Sequence, residues 1–227
     1  MYKIHKEKAN TTKMAQILKS MNPISIISQK DGAKRMAIMI MSILLMGFSV
    51  SIFSYSGMGV DPFTAFNMSV SAKLGISFGF YQMCVNGIIL IFVAIMAKKL
   101  ISVGTVVNMV GVGYVCEFFT SIYDEILPQE KTLPLRLVCM ALGVFLLSLS
   151  ASLYFNCNLG VSPYDALGFV MEDNIKIKYK WSRVITDLIC TLVAFLLGGP
   201  IGIGTVVTAF FMGPVIAFCD GNISKKV

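Results

Sequence analysis

The chain has 227 residues and a net charge of +7; 56% of its residues are hydrophobic and only 14% charged, against about a quarter charged in an ordinary soluble domain. That balance excludes a water-dissolved globular enzyme and points to a bilayer as the main solvent. Eight basic residues, Lys3, Lys6, Lys8, Lys13, Lys19, Lys30, Lys34 and Arg35, precede the first long apolar run, so much of the positive charge is a membrane-side tail rather than a nucleic-acid footprint.

Residues 1–35 lack the apolar core of a signal peptide, and the run after them is too long to be one, so it reads as an uncleaved first span. The stretch from Thr11 to Ile27 reads as disordered rather than as a weak surface helix. A helix crossing the roughly 30 Å hydrocarbon layer needs about 20 apolar residues. Segments 36–56, 78–97, 101–122, 135–156, 181–199 and 203–219 qualify. Two shorter segments, 62–74 and 163–173, reach only about 18 Å at 1.5 Å per residue. They are expected at the interface or as re-entrant helices.

With the N-terminus in the cytoplasm, the inner side takes the tail, Lys98, Lys99, Lys176, Lys178, Lys180, Arg183, Lys225 and Lys226, which is 16 of the 19 basic residues. The outer side keeps Lys73, Lys131 and Arg136, beside the acidic Asp124, Glu125 and Glu130. Counting the short segments as spans would place Lys98 and Lys99 outside, so six spans satisfy the positive-inside rule better.

An internal repeat organises these spans. Residues 58–66, MGVDPFTAF, match 159–167, LGVSPYDAL; residues 101–107, ISVGTVV, match 201–207, IGIGTVV; Arg35 and Arg136 open corresponding spans. Three spans per copy is odd, so the second copy enters from the opposite side, as in many secondary transporters. Duplication that merely builds a compact bundle is the plainer alternative. The expected fold is all-α and integral to the membrane: six transmembrane helices as two inverted three-helix repeats, each with a short interfacial or re-entrant helix. The repeats cover 36–122 and 135–219. An external acidic loop at 123–134 joins them, and cytoplasmic tails at 1–35 and 220–227 flank them.

Gly59-Val60-Asp61-Pro62 and Gly160-Val161-Ser162-Pro163-Tyr164-Asp165, each followed some 40 residues later by Gly-Thr-Val-Val, resemble the YczE/YitT-type bacterial membrane proteins, closer to the YczE branch. The likeness covers about residues 36–219 and departs from the usual Pro-Trp or Pro-Tyr-Asp in the first copy, which reads Pro62-Phe63-Thr64. It implies a multi-pass protein of the bacterial cytoplasmic membrane and supplies no catalytic residue to carry over.

Asp61 and Ser162 suit an N-cap, Pro62 and Pro163 the first helical position, and Thr64 and Asp165 a capping-box-like return. Gly59 and Gly160 permit the tight entry turn. A helix N-terminus so built either receives an anionic group or simply starts a packing helix. Gln82/Asn86 and Arg183/Asp187 are i, i+4 pairs at equivalent repeat positions, the second a candidate ion pair. Polar groups at that depth face a bundle interior, so they are candidates for a substrate or ion pathway, with structural charge balance as the alternative. Asn108, aligned with Thr208, follows Gly104-Thr105 as Thr208 follows Gly204-Thr205; interhelical hydrogen bonding is the simpler role for this group. Glu117 is expected to pair with Arg136.

Cys84, Cys116, Cys139, Cys157, Cys190 and Cys219 lie in or beside apolar runs without metal-ligand spacing, and His5 stands alone, so no metal or other cofactor is expected. There is no phosphate-binding loop and no nucleophile beside a base. The expected function is a small secondary transporter or exporter of an unidentified small solute, not an enzyme. The alternative is a membrane scaffold or accessory protein using the basic tail or the 163–183 loop. Expected partners are the lipid bilayer, the solute and optionally a second copy, with no nucleic acid.

Overall fold

The structure, a computed structural model, describes residues 26–28, 31–127 and 130–222. Most of the basic tail, with residues 11–25 of the stretch expected to be disordered, and Lys225 and Lys226 lie outside the described residues, while Ile26 and Ile27 at the end of that stretch are helical. Among the described residues the chain forms eight α-helices: α1 Gly32–Tyr55, α2 Pro62–Leu74, α3 Phe78–Met96, α4 Val103–Ile126, α5 Leu133–Asn156, α6 Pro163–Ile175, α7 Tyr179–Leu196 and α8 Ile203–Asn222. A single 3-10 turn, Lys98–Leu100, joins α3 to α4.

Local chemistry sets the boundaries. Asp61 caps α2 by accepting from the Thr64 N–H at 3.1 Å, and Gly75, at φ 66°, ends it. Ser162 does the same for α6 with Asp165 N–H, also at 3.1 Å. Both helices carry proline at the start, where its missing N–H costs nothing. Ser77 caps α3, and Ser102 with Thr105 forms a capping box on α4.

Among the described residues four helices, α1, α3, α4 and α5, are long and apolar enough to cross a bilayer. The sequence-based count of six is not reached on these grounds. Helix α7 has 18 residues that include Lys180, Arg183 and Asp187, and the apolar part of α8 is shorter, Ile203–Ile216. The 163–183 stretch, offered above as a scaffold surface, consists of the short helix expected at 163–173, seen as α6, and the start of α7.

The core lies where α1 and α5 pack on each other, joining Met39, Ile43, Met46 and Val50 to Leu147, Ala151 and Tyr154. Small residues set the approach: a Cβ on Gly143 of α5 would strike Phe53 of α1, and one on Gly47 of α1 would strike Val115 of α4. Lipid tails are as apolar as leucine, so such close packing is what draws membrane helices together. Buried serines on both helices return their hydroxyls to their own backbones, as Ser42 does to the Ile38 carbonyl and Ser148 to that of Val144, each 2.7–2.8 Å.

Around this pair, α4 packs on α1 and α8 on α5, while α2 packs on α7 and α6 on α3. One seam has no equivalent. Helices α3 and α4 close through Gly79 and Gly113, and Glu117 Oε2 accepts the Gly79 N–H at 3.3 Å. Helices α7 and α8 lack such a seam, and a Cβ on Gly213 would meet nothing within 4 Å. Glu117 therefore serves the α3–α4 seam rather than pairing with Arg136, whose guanidinium is committed elsewhere.

Candidate functional site

The turn before each short helix docks on the start of a long helix, about 140 residues away for the first copy and about 60 for the second. Val60 N–H donates to the Pro200 carbonyl at 3.2 Å, and Gly204 N–H to that of Met58 at 2.8 Å. The counterparts are Val161 to Leu100 at 3.2 Å and Gly104 to Leu159 at 2.9 Å. Gly59 and Gly160 both sit at φ 96°, a region side chains avoid. A Cβ on either would fall on a threonine hydroxyl of the repeat motif, Thr205 for Gly59 and Thr105 for Gly160.

The arginines close the same arrangement. Arg136 donates from Nε to the Ser56 carbonyl at 3.0 Å and from Nη2 to that of Gly57 at 2.6 Å. Arg35 donates from Nε to Cys157 at 2.8 Å and from Nη2 to Asn158 at 3.0 Å. Each guanidinium thus satisfies carbonyls left over at the end of the other half's first helix.

These turns bring α2 and α6 together at their N-termini. Phe63 and Tyr164, each the second residue of its helix, stack with ring centroids 4.1 Å apart and planes 14° apart. Arg183, from α7, lies over the other part of this cluster, its guanidinium carbon 4.5 Å from the Tyr164 ring centre. Its Nη1 bonds Asp165 Oδ1 at 2.8 Å, whereas Asp187 is 4.0 Å away. Asp165 Oδ2 takes the Ser162 hydroxyl at 2.6 Å. Asp187 Oδ1 instead takes the Tyr164 hydroxyl at 2.7 Å, with Cys190 Sγ 3.7 Å from that hydroxyl.

The sequence-derived candidates separate into four groups. Arg183, Asp187, Asp165 and Ser162 are linked around Tyr164, though Arg183 prefers Asp165 to its expected partner Asp187, and Asp61 caps α2 two residues before the stacked Phe63. Gln82 and Asn86 are 6% and 3% exposed on α3, and Gln82 Oε1 and Asn86 Oδ1 have no hydrogen-bond partner. Asn108 is elsewhere: its Nδ2 contacts Met46 Sδ at 3.5 Å in the α1–α4 packing. The motif residues Gly59, Pro62, Gly160, Pro163, Gly104, Thr105, Gly204 and Thr205 build the turns and helix starts. Tyr164 and Phe63 were missed as site residues, although the repeat aligns the two aromatic rings.

At the far end of α6, Lys99 Nζ lies 2.9 Å from Asp173 Oδ2. The hydrogen bond and charge of Lys99 lower the pKa of this exposed carboxyl. The contact joins that end of α6 to the connection between α3 and α4.

Residues 33–221 match a family described as of unknown function, DUF6198. The chain is 27% identical over 177 residues to the Uncharacterized membrane protein YczE of Bacillus subtilis, covering 78% of this chain and 80% of that protein. It is 28% identical over 181 residues to the Uncharacterized protein YyaS of the same organism, covering 77% and 86%. An Uncharacterized protein of Haemophilus influenzae matches at 25% over 193 residues, covering 85% and 86%. No solved structure matches. The family match runs from the start of α1 into the end of α8, and the chain belongs to this YczE-type family of membrane proteins, DUF6198.

Proposed function

We propose that the chain is a small secondary transporter of a small solute in the bacterial cytoplasmic membrane, with no enzymatic activity. In this reading α1, α3, α4, α5, α7 and α8 are six spans forming two inverted repeats, and α2 and α6 are half-helices whose N-termini meet inside the bilayer. Both termini are cytoplasmic. The observation that carries the reading is the meeting of Phe63 and Tyr164 beside Arg183, Asp165 and Asp187. Broken helices converging between inverted repeats are where secondary transporters place their sites. The reciprocal turn contacts support a two-fold relation, because paired contacts in which each half plays both roles are what such an axis produces.

Two features support α7 as a span despite its charges. Ile185, Leu188, Ile189, Leu192, Phe195 and Leu196 form one exposed apolar stripe suited to lipid, while Arg183 and Asp187 turn toward α6. The Lys99–Asp173 contact favours a common side for the 98–99 and 173–178 connections, as the positive-inside rule requires.

The test is flux in proteoliposomes against a metabolite panel, comparing the wild type with Asp187→Asn. A solute moved by the wild type and not by the folded variant supports transport. Absence of flux for the whole panel, together with a cellular phenotype lost on deleting the basic tail, favours a scaffold instead.

A further inference from the structure

We infer that the helices form two bodies, α1, α4, α5 and α8 in one and α2, α3, α6 and α7 in the other, which rock against each other on two docked turns, and that this structure is the state open to the cytoplasm. The side that is open rests on the topology of the transporter reading; the rocking rests on packing. In the first body α1 packs on α4 and α5, and α5 packs on α8. In the second, α2 packs on α3 and α7, and α6 packs on the same two helices. Polar contacts divide the same way. Arg35 of α1 and Arg136 of α5 clasp the end of each other's helix. Tyr164 and Asp165 of α6 bond Asp187 and Arg183 of α7, and Phe63 of α2 stacks on Tyr164.

Between the bodies, the extended helix packing among the described residues is the α3–α4 seam, where Gly79 meets Gly113 and Glu117 takes the Gly79 N–H. The repeat places the equivalent seam between α7 and α8, and there the structure is open: the space at Gly213, the counterpart of Gly113, is empty. Two equivalent seams, one shut and one open, are what a rocking motion produces, because closing either one parts the other. The sequence also accounts for which one is shut. Glu117 puts a negative charge at the N-terminus of α3, where the helix dipole favours it. At the positions of Gly79 and Glu117 the second copy has Lys180 and Ala217. Its seam therefore has one glycine where the first has two, and no carboxylate to hold it.

The pivots follow from connectivity. The chain crosses from one body to the other between α1 and α2, α3 and α4, α5 and α6, and α7 and α8. These four crossings dock in two pairs. The first joins Val60 to Pro200 and Gly204 to Met58; the second joins Val161 to Leu100 and Gly104 to Leu159. Every link between the bodies thus passes through one of two points, and hinges lie in such short connections. Gly198, at φ 72° with open space around it, lies in the link that lets α7 approach α8. In the proposed topology α3 starts and α4 ends at the outer face, whereas α7 starts and α8 ends at the cytoplasmic face. The shut seam is then the outer gate, and the gap opens inward.

The test uses the full chain purified in detergent, with its native cysteines replaced by alanine and nitroxide labels on introduced cysteine pairs. Phe80→Cys with Phe118→Cys spans the α3–α4 seam; Trp181→Cys with Phe218→Cys spans the α7–α8 gap at the equivalent positions, and all four side chains are exposed. Pulsed electron resonance should read a shorter distance for the first pair than for the second. Gly113→Leu wedges the shut seam, and should lengthen the first distance while shortening the second. Equal distances in the unwedged protein overturn the inference, as do wedged distances that fail to move in opposite directions. Should Gly113→Leu not give a monodisperse protein, Gly79→Leu wedges the seam from α3 and is read by the same criterion. Opposite shifts in a protein that moves no solute keep the rocking bodies and lose the transporter reading; flux without them does the reverse.

Discussion

Gly59 and Gly160 carry two constraints at once, a φ of 96° and a neighbour where a Cβ would lie. Gly75, at φ 66°, carries the first alone, with open space around it. Alanine at 59 or 160 is therefore expected to cost at least about 2–3 kcal/mol, and at 75 about 1 kcal/mol. Thermal midpoints of the detergent-solubilised variants rank the three, and equal shifts would refute the reading. The charged cluster ranks its own variants. Arg183 stays paired with Asp165 when Asp187 becomes asparagine, so Asp187→Asn should fold and lose flux. Arg183→Gln strands Asp165 and should cost about 2–3 kcal/mol, visible in the same melts. This reverses the expectation from spacing alone, which pairs Arg183 with Asp187. The caps at Asp61 and Ser162 were legible because cap chemistry is local. The Asp165–Arg183 bond was not, because 18 residues and a turn separate the partners, and only the fold decides which of two carboxylates is nearer.

Element boundaries were the most legible level of all: 62–74 is recovered as α2, and 163–173 as α6 with two further residues. Proline, serine and aspartate mark those starts, and Gly75 marks the end of α2, so periodicity had little left to decide. What composition could not supply was packing preference. Asn108, chosen for polarity beside a Gly-Thr motif, turns to Met46 in the α1–α4 interface, and Glu117 turns to Gly79 instead of Arg136. Both are polar groups whose destination depends on which helix lies alongside. The ends of α1 and α5 give an element-scale prediction. Arg35→Gln and Arg136→Gln each remove a two-carbonyl clasp and should destabilise by about 1.5–3 kcal/mol. Arg35→Lys should recover little, since an ammonium does not reproduce the planar fork that reaches both carbonyls. Detergent melts of the three variants check this, and a lysine variant as stable as wild type would argue against a geometric role for the guanidinium.

For the whole molecule, the proposed topology has a direct test. A single thiol near Glu130 should react with an impermeant reagent added outside intact cells, and thiols at Lys99 or Lys178 should not. Labelling of Lys99 from outside would refute the six-span arrangement. The repeat that suggests this topology was readable from MGVDPFTAF and LGVSPYDAL, but the unequal seams were not, because Gly113 and Gly213 look alike until their neighbours are in place. The reciprocal clasps have one more consequence, and it concerns the order in which the protein is made. Arg35 and the Gly104 N–H emerge early, yet their partners, the carbonyls of Cys157, Asn158 and Leu159, are synthesised well after them. The first half must therefore wait in the bilayer with its contacts open until the second half arrives. A chain stopped at Leu127 should be cleared by quality control, as a pulse-chase experiment would read. A flexible insert between Pro128 and Gln129 should be tolerated, because doubling a loop costs only about 0.6 kcal/mol. Assembly would then be limited by waiting for the second half rather than by the reach of the connection that delivers it.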